Sequence, residues 1–468
     1  MIWIILYIIT LLACGYLAEL LLADPRSARR PAEVLGMSAA LGCGVLPLIL
    51  LLASMLGIRP VRPGILGIGA VALAAIFILK WRDRVPPITR PIIPKMKQRE
   101  VIVLSLACAL IGFQLLCIFV AAGAVPVIEV DAWNIWGLKA KVLYFEPLAP
   151  RPVYFSDLSL SYTHLDYPLL VPMLWAGAYG GMQGVNDAIG KAWLAVPMVG
   201  IVFLLFSALR EMLDREAAIL LTAMAIGSPA VSRWAGQGLA DTTLAVFILG
   251  TAVCIVRWIR DRRIGNAIGA GLFAAMAIWT KLEGSILVIP AAIVFLAAAI
   301  RERSRFRGVA AFSITFLLIA LPWWLWSRDL PQTHENYLSH LNASELMGGL
   351  HRLPELFKLL WIQFYNWEWT IPAGVFVLAV GFNARGFLRG DILAVWLMFA
   401  IQILAYGAAY LITPWELNQI VPITATRLVM QVAPVAMLLA GLHWREAKAS
   451  ISPPLPERHP QAADAPHH

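Results

Sequence analysis

Apolar stretches of about 20 residues recur along the chain between short polar segments, and each is long enough to cross a bilayer core as a helix. None shows the sustained period-two alternation of a membrane barrel. The pattern predicts an all-α, polytopic helical membrane protein of about 13 transmembrane helices, with external loops carrying short interfacial helices. The spans fall near residues 2–23, 34–56, 64–80, 101–125, 189–209, 216–232, 240–257, 264–280, 285–300, 308–326, 370–384, 390–413 and 427–443. The first has no basic leading region and runs into Asp24-Pro25-Arg26 rather than a small-residue cleavage site, so it reads as a retained span.

One segment resists this scheme. Tyr167 to Met182 is apolar but short, carries Pro168 and Pro172, and contains Gly177, Gly180 and Gly181, so it fits a span or a re-entrant, interfacial helix. Charge parity separates the two, because basic residues accumulate in short cytoplasmic loops. Without a crossing there, most of the 37 Lys and Arg lie inside, including the run Lys80, Arg82, Arg84, Arg90, Lys95, Lys97 and Arg99. With one, Arg257, Arg260, Arg262, Arg263, Arg301, Arg303, Arg305 and Arg307 all move outside. The re-entrant reading follows, with an external N-terminus and a cytoplasmic C-terminus. It divides the chain into four N-terminal transmembrane helices (1–125), a first external loop with the re-entrant segment (126–188), core transmembrane helices (189–326), a second external loop (327–369), C-terminal transmembrane helices (370–446) and a disordered cytoplasmic tail (447–468) rich in Pro, Ala and charge.

Composition agrees with a membrane protein. The chain is 60% hydrophobic and 14% charged, whereas soluble domains carry roughly a quarter charged residues. Cys14, Cys43, Cys108, Cys117 and Cys254 all fall inside apolar stretches and show no disulfide framework or paired metal-ligand spacing. The net charge of +9 comes from short clusters at helix ends, which reads as membrane orientation and not as a nucleic-acid partner. No Walker loop, HExxH motif, nucleophile elbow or dinucleotide fingerprint stands in a credible context, so nucleotide-driven transport and zinc hydrolysis lose their usual support.

The candidate chemistry clusters at external helix ends. Glu129 and Asp131, with Trp133 and Trp136, follow a span directly. They are either solvated loop acids with aromatic-belt indoles, or an acid cluster beside a sugar-stacking platform. His164 and Asp166 precede Tyr167-Pro168, where an Asp also serves as an ordinary cap for the helix that Pro168 starts. Asp241 opens one span and Lys281, with Glu283, closes another, both placements that the helix dipole favours on its own. Arg427 heads the span 427–443 at an outward N-terminus, where the dipole disfavours a cation. It therefore needs a counter-ion, and a phosphate at the membrane surface suits its forked guanidinium.

From Asp131 onward the order of these features resembles the GT-C glycosyltransferases, in particular the bacterial branch similar to protein O-mannosyltransferases and aminoarabinose transferases. The stretches that carry the resemblance are Asp131-Ala132-Trp133, His164-Leu165-Asp166-Tyr167-Pro168-Leu169, Gly238-Leu239-Ala240-Asp241, Trp279-Thr280-Lys281-Leu282-Glu283-Gly284, Leu321-Pro322-Trp323-Trp324, and Thr426-Arg427 followed by Pro434. Each is individually weak; their order and outward placement give the match its specificity. The resemblance implies a sugar donor linked to polyprenyl phosphate, Asp131 as the base with Glu129 beside it, and donor phosphate held by Arg427 together with Lys281 or Lys191. His164, Asp166, Trp133, Asp241 and Glu283 are then the substrate-binding candidates. It also implies a bacterial inner membrane and an extracytoplasmic site. The chain departs from the family in placing four spans, not one, before the acidic loop; usual members begin with the N-terminus inside.

A sugar phosphate already carries a good leaving group, so such a site needs a base for the acceptor hydroxyl and cations for the departing phosphate, and direct displacement inverts the anomeric carbon. The sequence establishes no cofactor and leaves a divalent metal open. Glu129 and Asp131 offer hard oxygen ligands to a divalent metal, but two carboxylates alone do not make a site. The acceptor, whether lipid, glycan or protein, is not legible. The alternatives are a lipid-linked sugar flippase or transporter, which calls for mid-membrane charges and a repeated half-structure that the sequence lacks, and an oligosaccharide ligase or polymerase.

Overall fold

The computed structural model describes residues 2–89, 96–333, 337, 342–365, 368–381, 386–387 and 389–451. Among these the chain is helical, with no strand and a lone backbone bridge between Arg29 and Ile88. The first four helices are α1 (Ile2–Leu22), α2 (Pro31–Met55), α3 (Arg62–Trp81) and α4 (Gln98–Ala124). A π-helical turn, Ala132–Gly137, leads into α5 (Leu138–Phe145), and α6 (Leu170–Met182) is followed by α7 (Asp187–Ala192) and α8 (Val196–Arg210). Then come α9 (Arg215–Ile226), α10 (Pro229–Ala235), α11 (Asp241–Asp261), α12 (Ile264–Thr280), α13 (Val288–Arg301) and α14 (Phe306–Ser327). The remainder holds α15 (Ala343–Gly349), α16 (Leu353–Tyr365), α17 (Thr370–Gly381), α18 (Gly390–Ile412) and α19 (Leu417–Ile451), the last interrupted by Pro422 and Pro434.

Every predicted span lands on a helix or on a broken helix pair, but the number thirteen is not reached by length and apolarity. Ten helical segments among the described residues are long and apolar enough to cross a membrane, and α9 with α10, bent by 58°, would be an eleventh. The predicted spans at 264–280 and 370–384 correspond to the shorter helices α12 and α17, and residues 382–384 lie outside the described residues. Two boundaries also differ. The last span begins at Leu417, because Pro422 interrupts the helix without ending it, so Arg427 sits well inside the helix and not at its N-terminus. The same helix runs on to Ile451, past the expected start of the tail at 447; residues 452–468 lie outside the described residues, as do Arg90 and Lys95 of the basic run and 334–336, 338–341 and 366–367 of the second loop.

Contacts between segments define two ends of the bundle. At one end gather segment 126–169 and the described residues of 328–369, joined where the Asp166 carboxylate accepts hydrogen bonds from the Thr333 hydroxyl at 3.0 Å and its amide at 3.4 Å. At the opposite end, where buried charge must be matched, Arg29 bridges Glu19 (2.5 Å) and Glu33 (3.1 Å), and Arg257 joins Glu33 (2.9 Å) to Glu211. Asp391 there takes both Arg260 and Arg445 at 3.0 Å.

Helix α6 explains why its sequence was hard to place. Twelve of its thirteen residues are buried, so it is a core element rather than an interfacial one. Its glycines permit close approach: a Cβ at Gly180 would meet the Pro60 carbonyl oxygen at 1.8 Å, and one at Gly177 the Tyr7 hydroxyl at 2.7 Å. Arg62, at the start of α3, donates to the carbonyls of Gly181 (2.8 Å) and Met182 (3.1 Å). Just beyond, Asp187 pairs with Lys141 of α5 at 2.9 Å. Both ends of α6 therefore touch elements at the long-segment end. An impermeant thiol reagent is expected to label Ser159→Cys and Val185→Cys from the same side and Ser304→Cys from the other; labelling of 159 and 185 from opposite sides would show that α6 crosses.

Candidate active site

The site assembles around the start of α11. Asp241 is the first residue of that helix, where the dipole favours its charge, yet its side chain is only 1% exposed. A carboxylate so buried must be fully paired. Arg427 Nη2 donates to Asp241 Oδ2 at 3.0 Å and Nε at 3.2 Å, Lys281 Nζ reaches Oδ1 at 3.2 Å, and the Gln431 amide reaches Oδ1 at 2.6 Å. Arg427 and Gln431 stand four residues apart, on one face of α19. Tyr406 of α18 donates to Gln431 in turn.

Two further acids complete the cluster. Lys281, extended just past the end of α12, also holds Glu283 at 2.9 Å. Arg427 Nη1 pairs with Asp131 Oδ2 at 2.9 Å, and the guanidinium lies 5.8 Å from the Trp234 ring centre. Asp131 differs from Asp241 in one respect that matters: its side chain is 41% exposed, while that of Arg427 is 10%. It enters the π-helical turn Ala132–Gly137, a rare geometry that inserts an extra residue per turn and recurs at functional sites. Trp133, on the same turn, is exposed.

The geometry thus joins Asp131, Asp241, Lys281, Glu283 and Arg427 in one network. It also corrects the reason given for Arg427, whose counter-ions are Asp241 and Asp131 within a helix rather than an anion at a helix N-terminus. The other candidates sit apart. The Glu129 carboxylate makes no ion pair among the described residues, and no group of three or more His, Cys, Asp or Glu there is placed to hold a metal ion. Lys191 is fully buried and its ammonium donates to the carbonyls of Ala121 (2.7 Å) and Gly236 (3.1 Å), with no carboxylate partner among the described residues, so its charge is met by backbone and not by the cluster. Asp166 hooks the second long segment through Thr333, and His164, in a left-handed turn at φ 53°, lies against the Tyr167 ring in a tilted arrangement with centres 4.5 Å apart.

Three participants escaped the sequence reading. Gln431 and Tyr406 are isolated polar groups in apolar helices, and the four-residue spacing from Arg427 was the available signal for the first. Lys139, in α5, is fully buried and donates to the carbonyls of Thr163 (2.7 Å) and His164 (2.6 Å), tying the Asp131 helix to the turn before α6. Burial pushes its ammonium down to about 7, although the Asp166 charge works the other way.

A family model for dolichyl-phosphate-mannose-protein mannosyltransferase matches residues 183–326, a segment that contains Asp241, Lys281 and Glu283 but neither Asp131 nor Arg427. Among solved structures, ArnT from Cupriavidus metallidurans, bound to undecaprenyl phosphate, is similar in fold with a TM-score of 0.50 and 17% identity. That similarity covers 72% of this chain and 60% of that one, so the chain spans less than two thirds of its solved relative. No curated protein matches the chain.

Lys139 gives the site a pH signature. Because its pKa is about 7 in the fold and near 10.4 in an unfolded chain, the unfolded state holds more protons between those values, and stability rises with pH across that window. Melting of the detergent-purified protein at pH 7 and pH 9 is expected to show that rise, and Lys139→Met to abolish it while losing about 1–3 kcal/mol from two carbonyls left without donors; an unchanged slope in the variant would exclude Lys139 as its source. In fold the chain is similar to an integral-membrane aminoarabinose transferase, and its core segment matches the mannosyltransferase family model.

Proposed function

We propose that the protein transfers a sugar from a polyprenyl-phosphate donor to an acceptor hydroxyl, with Asp131 as the base and with Arg427 and Lys281 receiving the phosphate. The observation that carries this reading is the division of labour around Arg427: one guanidinium is shared between a buried carboxylate, Asp241, and a half-open one, Asp131. A buried acid held by two cations is fixed in place, whereas the open acid can exchange partners.

In the proposed reaction the acceptor oxygen attacks the anomeric carbon and its proton passes to Asp131. The bond from that carbon to the phosphate oxygen breaks, and the electron pair leaves with the polyprenyl phosphate, whose charge Arg427 and Lys281 stabilise. The displacement inverts the anomeric centre. A donor phosphate at Arg427 competes with Asp131 for the same guanidinium, so donor binding releases the base for its task. Trp133, exposed beside Asp131, is placed to stack on the sugar.

The site lies on the outer face of a bacterial inner membrane in this reading. Support comes from the charge distribution, since the Arg-rich ends of α11, α13 and α19 lie opposite the long segments. The ArnT structure, bound to undecaprenyl phosphate, supports a polyprenyl carrier as the donor class.

Asp131→Asn keeps the shape of the carboxylate but accepts no proton, and is expected to cut turnover of a labelled polyprenyl-phosphate sugar by about 10²- to 10⁴-fold while the protein still folds and binds donor. Glu129→Gln, which removes no ion pair, is expected to retain most activity. Near-wild-type turnover in Asp131→Asn would end the proposed mechanism, and equal losses in both variants would point to a paired-acid site.

At Arg427 the fork matters as well as the charge. Apparent donor affinity is expected to fall further in Arg427→Ala than in Arg427→Lys, since Lys281 and Gln431 still hold Asp241 in both. Wild-type affinity in both variants would remove Arg427 from the donor site.

A further inference from the structure

At the end of the bundle away from Asp241, a cavity of about 440 Å³ opens between the ends of α1 and α3, lined by Leu20, Leu21, Pro25, Leu79, Arg82 and Arg84. Its location follows from contacts: Arg263, just past the end of α11, hydrogen-bonds Ser27 at 3.0 Å and faces Asp24 at 3.9 Å. Asp241 is at the other end of that 21-residue helix, roughly 30 Å away.

The cavity is held by backbone. Arg29 N donates to the Pro87 carbonyl and Thr89 N to the Arg29 carbonyl, both at 2.8 Å, so the loops after α1 and α3 are pinned together behind it. Its polar side carries two cations that no carboxylate among the described residues pairs with. Whereas Arg29, Arg257, Arg260, Arg262 and Arg445 at this end each have a carboxylate partner, the guanidinium groups of Arg82 and Arg84 make no ion pair among the described residues. Two acids are close in sequence, and neither is paired with them. Asp24 caps the Arg26 amide at 3.0 Å and faces Arg263, and Asp83 is turned into a left-handed conformation at φ 50°.

The remaining wall is hydrocarbon. Leu21 is 70% exposed, Leu20 and Leu79 complete this wall, and Phe77 and Trp81 are exposed elsewhere on α3. Because α1 and α3 are themselves apolar enough to span a membrane and end here, this wall continues into the lipid-facing surface, and Trp81 marks the interface. A ligand that satisfies both sides carries a phosphate for the guanidinium pair and a chain for the leucines. We infer that this cavity binds an anionic phospholipid, with its phosphodiester between Arg82 and Arg84 and an acyl chain along α1 and α3. The site is independent of the catalytic reading, and it gives a ligand to N-terminal helices that the sugar-transfer site does not use.

The test is native mass spectrometry of the detergent-purified full chain titrated with phosphatidylglycerol, with phosphatidylcholine and inorganic phosphate as separate arms. Wild type is expected to retain phosphatidylglycerol in preference to phosphatidylcholine, and inorganic phosphate at millimolar concentration not to displace it. The double variant Arg82→Gln/Arg84→Gln is expected to lose about tenfold or more in affinity, given what each basic group contributes near anionic lipid. Leu21→Trp, which fills the cavity and leaves both arginines, is expected to lose binding too and decides the matter if the double variant does not fold. Arg301→Gln/Arg303→Gln removes two exposed arginines from another helix end and is expected to bind as wild type. Undiminished binding in the Arg82/Arg84 variant or in Leu21→Trp, an equal loss in the Arg301/Arg303 control, equal retention of phosphatidylcholine, or displacement by inorganic phosphate would each overturn the inference.

Discussion

A carboxylate with 1% of its side chain exposed, inside an apolar bundle, imposes conditions on everything near it. Asp241 is costly to bury unless its charge is matched and its lone pairs are filled, and the fold meets both demands with three groups from two directions: Lys281 from beyond α12, and Arg427 and Gln431 from α19. Removing one partner of such a group costs about 3–5 kcal/mol where the other charge is left stranded. The packing of α11 against α12 and α19 is thereby locked in register at this point, and the position of Arg427 follows from it.

That register leaves one guanidinium edge free to face outward, and Asp131 occupies it. The cluster holds three acids, Asp131, Asp241 and Glu283, against two cations, Arg427 and Lys281, so it carries a net negative charge as it stands. An incoming phosphate adds to that excess, which favours departure of the one acid that is already half in solvent. The charge balance and the exposure difference point to the same group as the mobile one.

How much of this was legible in the sequence depended on whether the signal was local. Helical spans were readable because apolar length alone decides them. The cluster members Asp131, Asp241, Lys281, Glu283 and Arg427 were readable as charges at helix ends, but the pairing was not, since Asp131 and Arg427 meet across 296 positions of chain. The helical start of α19 was misplaced because a proline within an apolar segment suggests a boundary, whereas Pro422 is accommodated. Lys139 gave no signal, because a lysine in a polar loop reads as solvated and only the fold of residues 138–167 buries it. Lys191, by contrast, read as a site cation, and its burial against two carbonyls depends on where α4 and α10 pass.

The two prolines of α19 have a mechanical meaning. Proline has no amide hydrogen for the carbonyl four residues before it, so Pro422 and Pro434 each remove one backbone hydrogen bond from the helix. Arg427 and Gln431 stand on the short cylinder between those positions, while the portion beyond Pro434 is moored at the far end by Arg445 to Asp391 and by Lys448 to Asp214. The segment that carries the guanidinium therefore lies between two turns that each lack a backbone hydrogen bond, with its far side moored by ion pairs.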